Sequence, residues 1–122
     1  MCNMLISINP EHVENIFNGS KKYEYRKIRC KQDVDKIIIY STYPIMKVVG
    51  EAKVEKILED SPDNIWEKTK NYSGIDLNFY QKYFKDRNKA IAYKLTNIKK
   101  YNNPKELSSY GIKAAPQSFV YV

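Results

Sequence analysis

Apolar and polar positions change period several times along this chain, and each change predicts a different element. Met4-Leu5-Ile6-Ser7-Ile8 predicts a first strand. Asn9-Pro10 predicts a helix start, with Asn as the cap and Pro where its missing N–H costs nothing. Val13, Ile16 and Phe17 form its apolar stripe, and Asn18-Gly19 ends it. From Lys22 to Arg29 the pattern alternates, with Tyr23, Tyr25 and Ile28 on one side and Lys22, Glu24 and Arg26 on the other. The run Lys36 to Tyr40 predicts a strand buried on both faces, broken by Ser41-Thr42-Tyr43-Pro44.

Met46 to Leu58 predicts a long strand with a bulge at Gly50. Ser61-Pro62-Asp63 opens a short helix through Trp66 and Thr69, Asn71 to Gly74 is a loop, and Asp76 caps a helix reaching Phe84. Lys89 to Tyr101 predicts another strand, Pro104 to Tyr110 a short helix ended by Gly111, and Pro116 to Val122 a closing strand. Strands interspersed with short helices predict an α+β fold, a small mixed β-barrel.

The 122 residues contain no repeat, linker or low-complexity stretch, so one domain over 1–122 is expected. A 43% apolar fraction spread along the chain excludes disorder as the default. No run approaches the roughly 20 apolar residues a membrane helix needs, and no segment reads as a signal peptide. Cys2 and Cys30 form no CxxC pair, and His12 alone cannot complete a zinc site. The expectation is a cytoplasmic protein with two reduced thiols, no metal, no cofactor and no membrane partner.

A formal charge of +7 favours polyanionic partners, nucleic acid above all. A composition rich in Lys, Asn, Ile and Tyr produces the same surplus as background. Arginine is scarcer, at Arg26, Arg29 and Arg87, and so points more sharply to bidentate hydrogen bonding. Gly19 to Arg26 then stands out, because a glycine, lysines, a glutamate and an arginine follow directly on a structured helix. A carboxylate between fixed cations is either an ion pair or the floor of a polar cleft.

Gly19, Lys21, Glu24 and Arg26 complete the pattern G-x-K-x-x-E-x-R after a first strand and helix. Ile39 to Pro44 with Val49-Gly50-Glu51, Phe79 to Phe84 with Ala90 to Tyr93, and Pro116 to Phe119 follow in order. Over nearly its whole length the chain resembles the ASCH domain family of the PUA-like superfamily. The resemblance implies a barrel of about six strands with short helices at its openings, and a ligand cleft beside the signature strand. It also implies RNA, a nucleotide or a modified nucleobase as ligand, and a regulatory role in transcription or translation. One bacterial member is an N4-acetylcytidine amidohydrolase using a lysine, a threonine and a glutamate.

In that enzyme a threonine stands where this chain has Glu24. An ionised glutamate raises a neighbouring lysine's pKa and makes it a poor nucleophile. Glu51, Glu55, Glu59 and Glu67 all compete for the role of the later glutamate. Binding is therefore the leading expectation, and catalysis on a modified nucleoside or RNA is the alternative.

If there is catalysis, Lys21 and Glu24 are its candidates. For binding, the candidates are Lys21, Glu24, Arg26, Ser41, Thr42, Gln117 and Ser118, with Lys21 and Arg26 gripping phosphate or base oxygens and Glu24 accepting from a base amine. Tyr40, Tyr43, Tyr80 and Tyr83 are candidates for stacking, although ordinary burial explains tyrosines equally well. Without ligand, the same residues reduce to an ion pair, turn caps and core. The sequence names no protein partner.

Overall fold

The computed structural model describes residues 2–31 and 33–122. Six strands form one sheet: β1 (Asn3–Ile8), β2 (Tyr23–Arg26), β3 (Lys36–Ser41), β4 (Lys47–Asp60), β5 (Ala90–Lys105) and β6 (Phe119–Tyr121), in the order β2-β5-β4-β3-β1-β6. β1 and β3 run parallel, and the other neighbours are antiparallel. The sheet curls into a half-barrel, the mixed α+β architecture the pattern predicts. Its two ends nearly meet. Arg26 on the β2 edge donates from Nη2 to the Ser7 carbonyl on β1 (2.9 Å) and from Nη1 to Ser118 Oγ just before β6 (3.4 Å).

Three helices, α1 (Pro10–Phe17), α2 (Pro62–Thr69) and α3 (Leu77–Tyr83), begin where the sequence places their caps. Asn9 Oδ1 accepts from the Glu11 N–H (3.0 Å), Ser61 Oγ from Asn64 (3.3 Å) and Asp76 Oδ1 from Phe79 (2.8 Å). Each cap satisfies an N–H that has no partner within its helix. Among the described residues no helix is long and apolar enough to cross a membrane.

β3 is buried on both faces, as its unbroken apolar run requires. Ile37 and Ile39 join the main core with Met4, Ile6, Val13, Ile16 and Tyr93. Ile38 and Tyr40 pack on the opposite face with Leu5, Val48 and the turn around Leu107. A third cluster joins Ile65 of α2 and Tyr80 of α3 to Tyr25 and Ala92 of the sheet, with Trp66 packed against it as an anchor.

The expected bulge in β4 falls one residue earlier than Gly50. Ile39 pairs with Gly50 and Tyr40 with Val48, so Val49 is the extra residue. Gly50 itself makes room, since a Cβ there would lie 2.5 Å from the Lys99 carbonyl and 2.7 Å from the Phe17 ring. β5 also runs past the expected start of a helix at Pro104, because its pairing with β4 continues to Lys105. The expected helix shrinks to a 3₁₀ turn over Leu107–Tyr110, ended by Gly111 at φ 74°.

The largest departure lies in β2, which stops at Arg26 instead of reaching Arg29. Ile28 is exposed, while Glu24, on the side expected to be polar, is buried. Alternation there does not separate core from solvent, because the second face of β2 is covered by α1, α3 and the segment between α2 and α3.

Candidate functional site

The site is built at the seam where the curled sheet fails to close. Gly19, at φ 88°, turns the chain out of α1. The Lys21 N–H then donates back to the Asn15 carbonyl (2.9 Å). Residues 70–74 wrap the lysine: its backbone bridges Ser73, and Asn15 Nδ2 donates to the Gly74 carbonyl (3.1 Å). Gly74 lies so close that a Cβ there would sit 2.3 Å from Lys21 Cβ. The lysine stem is thereby sealed inside, with Lys21 only 2% exposed.

Its ammonium donates to the Ser73 carbonyl (3.0 Å), lies 3.8 Å from Glu24 Oε1 and sits over the Tyr25 ring. Glu24 Oε2 accepts from Arg26 Nε (3.1 Å) and Nη2 (2.7 Å). Two cations therefore share one buried carboxylate, leaving a net charge of about +1 in a poorly solvated place. The Glu24 charge alone would raise the Lys21 pKa, as expected from sequence. Burial outweighs it here and pushes the Lys21 pKa below its ordinary value, with the Arg26 charge acting in the same sense.

Above this floor is a hollow of about 120 Å³, walled by Ile8, Ile75, Phe79 and Tyr83. Liquid water occupies roughly 30 Å³ per molecule, so the space holds about four waters or one flat ring. Tyr25 forms part of its base. Thr69 donates to the Ile65 carbonyl (2.7 Å), so Tyr25 donates its phenolic proton to Thr69 Oγ1 (2.7 Å). Burial pushes the Tyr25 hydroxyl up to about 12. Lys27 lies over the Tyr83 ring (4.7 Å to its centre), bringing a cation onto one of the walls.

Sequence alone assigns His12 no role, because a single histidine cannot complete a zinc site. It lines the hollow from α1, with its ring edge-to-face against Phe79 (5.2 Å between centres). Its Nδ1 is buried and has no hydrogen-bond partner among the described residues. Such an orphan costs about 1–3 kcal/mol. Burial, and then the Lys21 charge, lower its pKa below 6.5. The signal visible in sequence is its position: His12 lies one turn into a helix that leads directly to the signature.

Of the residues singled out from sequence, Lys21, Glu24 and Arg26 are brought together around the hollow. Ser118 stands at its rim, bonded to Arg26. Ser41, Thr42 and Gln117 are not among the lining residues. Ser41 is buried at the end of β3, and Thr42 organises the following turn, donating from its N–H to the Ile8 carbonyl. Gln117 is exposed. Among the four tyrosines only Tyr83 lines the hollow; Tyr40 and Tyr80 are core, and Tyr43 is exposed on a turn. Among the described residues no three His, Cys, Asp or Glu side chains gather as a metal site would require.

The chain is 30% identical over 92 residues to an "ASCH domain-containing ribonuclease" of Zymomonas mobilis, a match covering 75% of this chain and 62% of that protein. It is 32% identical over 120 residues to an "ATP synthase subunit alpha" of Ureaplasma parvum, covering 98% of this chain but 15% of that much longer protein. The crystal structure of ASCH from Zymomonas mobilis superposes with a TM-score of 0.89 at 26% identity, over 98% of this chain and 87% of that one. Residues 4–115 match the family described as "Domain of unknown function (DUF365)". The chain belongs to that family, and its fold, signature residues and relatives make it an ASCH-domain protein.

Proposed function

We propose that this protein binds single-stranded RNA and receives one of its nucleotides in the hollow over Lys21, Glu24 and Arg26. The observation that carries the reading is the buried two-cation, one-carboxylate floor beneath an aromatic-walled space large enough for one ring. Unpaired bases are recognised in this way, by stacking on rings while polar groups meet the base edge. Glu24 accepts from an exocyclic amine, and the Lys21 ammonium donates to a base carbonyl. Lys27 on the Tyr83 ring and the overall surplus of +7 serve the flanking phosphates. Similarity to a segment of an ATP synthase subunit says nothing of RNA, so the ligand class rests on the hollow and on the ribonuclease relative.

The test is fluorescence anisotropy with a labelled single-stranded RNA at increasing salt. Binding that engages about three phosphates predicts a log–log slope near −2, since each contributes about −0.7 on a single strand. Lys21→Met should abolish saturable binding. A flat salt response, or full affinity in that variant, contradicts the reading.

One observation favours cleavage as a second reading. His12 and Lys21, both with lowered pKa, face the same space, and proton transfer needs groups of that kind. Incubating labelled RNA with wild type and Lys21→Met, with and without magnesium, decides it. Fragments formed by wild type and absent with the variant support cleavage; intact RNA throughout leaves binding alone.

A further inference from the structure

Phe79 borders two spaces. One is the hollow over Lys21, Glu24 and Arg26; the other is a recess of about 690 Å³ between the start of α1, Ser20 and the start of α3. Asn9, His12, Ile75 and Phe79 line both, so the two are immediate neighbours. The recess falls within the roughly 300–1,000 Å³ of small-molecule sites. Phe79 is 47% exposed, so a large part of its ring is open to a stacking partner.

The two spaces differ in charge. The hollow has two cations and one carboxylate. The recess is lined by two carboxylates, Glu11 and Asp76, and among the described residues by no lysine or arginine. In a chain of formal charge +7 this negative surplus is local. It repels phosphate and favours groups that donate hydrogen bonds. Most polar groups of the recess are already used within the protein. Asn15 Nδ2 donates to the Gly74 carbonyl, Ser20 Oγ to the Asn15 carbonyl (3.3 Å), and Asp76 Oδ1 accepts from the Phe79 N–H. The Glu11 carboxylate differs: it is exposed and, among the described residues, held by no hydrogen bond or ion pair.

The four bases meet a carboxylate differently. Guanine presents two adjacent donors, its N1–H and its N2 amine, which one carboxylate can accept together. Uracil's N3–H lies between two carbonyls, whose oxygens face the carboxylate and repel it. Adenine and cytosine place a ring acceptor beside the amine. We infer that the recess is a second subsite, that the base next to the one in the hollow stacks there on Phe79, and that Glu11 selects guanine for it. The inference rests on the RNA reading above and extends it from one nucleotide to two. A negative charge in the first turn also suits the α1 dipole. That role concerns stability and is indifferent to the base.

The experiment uses fluorescein-labelled cytidine decamers carrying one central guanosine, inosine or 2-aminopurine riboside, compared by anisotropy at pH 7.5 in buffer with EDTA. Cytidines on both sides make strand polarity immaterial, and the 2′-hydroxyl, common to all three strands, drops out of the ratios. Inosine lacks the N2 amine and 2-aminopurine lacks the N1–H. Wild type should bind the guanosine strand about tenfold more tightly than either, the worth of one hydrogen bond to a charged group. Glu11→Gln turns one acceptor into a donor, so its guanosine-to-inosine ratio should fall to about one. Phe79→Leu keeps an apolar side chain but no ring face, and should weaken all three strands about tenfold. Circular dichroism melts establish that both variants are folded. Equal affinity of wild type for the three strands, or an unchanged ratio in folded Glu11→Gln, overturns the second subsite and leaves RNA binding standing. Failure of wild type to bind any of the strands overturns the RNA reading and this inference with it.

Discussion

Glu24 on β2 and Glu55 on β4 are both glutamates paired with lysine, on strands that flank β5. The Glu55–Lys94 pair is the shorter, at 2.8 Å against 3.8 Å for Glu24–Lys21. Yet the side chains of Glu55 and Lys94 are 47% and 30% exposed, whereas those of Glu24 and Lys21 are 7% and 2%. Water already solvates the outer pair, so losing one partner changes little. At the seam, removing one partner leaves its neighbours charged and dry. Distance ranks these pairs in the wrong order; burial ranks them by consequence.

The comparison breaks most sharply at Glu24. Glu24→Ala strands two buried cations and should cost about 3–5 kcal/mol in urea unfolding, a large part of a domain's total stability. A loss as small as that of a surface pair would place Glu24 among the solvated glutamates. Gly74→Ala should come next, at about 1–3 kcal/mol, because it puts a side chain at φ 68° and drives a Cβ into the Lys21 stem. Its RNA affinity should fall in parallel, since the ammonium is displaced.

Lys21→Met separates structure from function. It removes a buried charge while leaving Glu24 bonded to Arg26, so stability should change by less than about 2 kcal/mol while RNA binding is lost. Glu55→Gln should give a melt indistinguishable from wild type and unchanged RNA affinity.

A smaller effect concerns pH. His12 has a lowered pKa in the folded protein, so the unfolded chain takes up its proton first as pH falls. Stability contributed by the neutral ring is present above about 6.5 and is lost as pH falls through the lower, folded value. Melts between pH 7.5 and 5 should therefore drop more for wild type than for His12→Asn. Parallel curves would mean that the ring is solvated after all.

Much of the architecture could be read from local pattern. Asn9-Pro10, Ser61-Pro62 and Asp76 mark helix starts by satisfying orphan N–H groups, a matter of neighbours in sequence. The continuation of β5 through Pro104 could not be read, because it depends on a partner strand some fifty residues away.

The site divides along the same line. Lys21, Glu24 and Arg26 are close in sequence and point to one another. His12, Ile75, Phe79 and Tyr83 reach the hollow only because α1 and α3 pack beside β2. A lone histidine carries no sequence signal for an orphaned nitrogen, since the lack of a partner exists only once the surroundings are folded. Ser41 and Thr42 looked suitable by chemistry, yet they end β3 and its turn and do not line the cleft.

The most direct test is a two-dimensional ¹H–¹⁵N NMR titration of the isotopically labelled protein with a short single-stranded RNA. The lysine-rich antiparallel pair β4–β5, with Lys53, Lys56 and Lys99, offers charge without a hollow, whereas the seam offers both. Saturable shifts concentrated at residues 8–12, 21–26 and 73–83 are the predicted result. Shifts confined to that strand pair, with His12, Lys21 and Glu24 unmoved at saturation, would contradict the account.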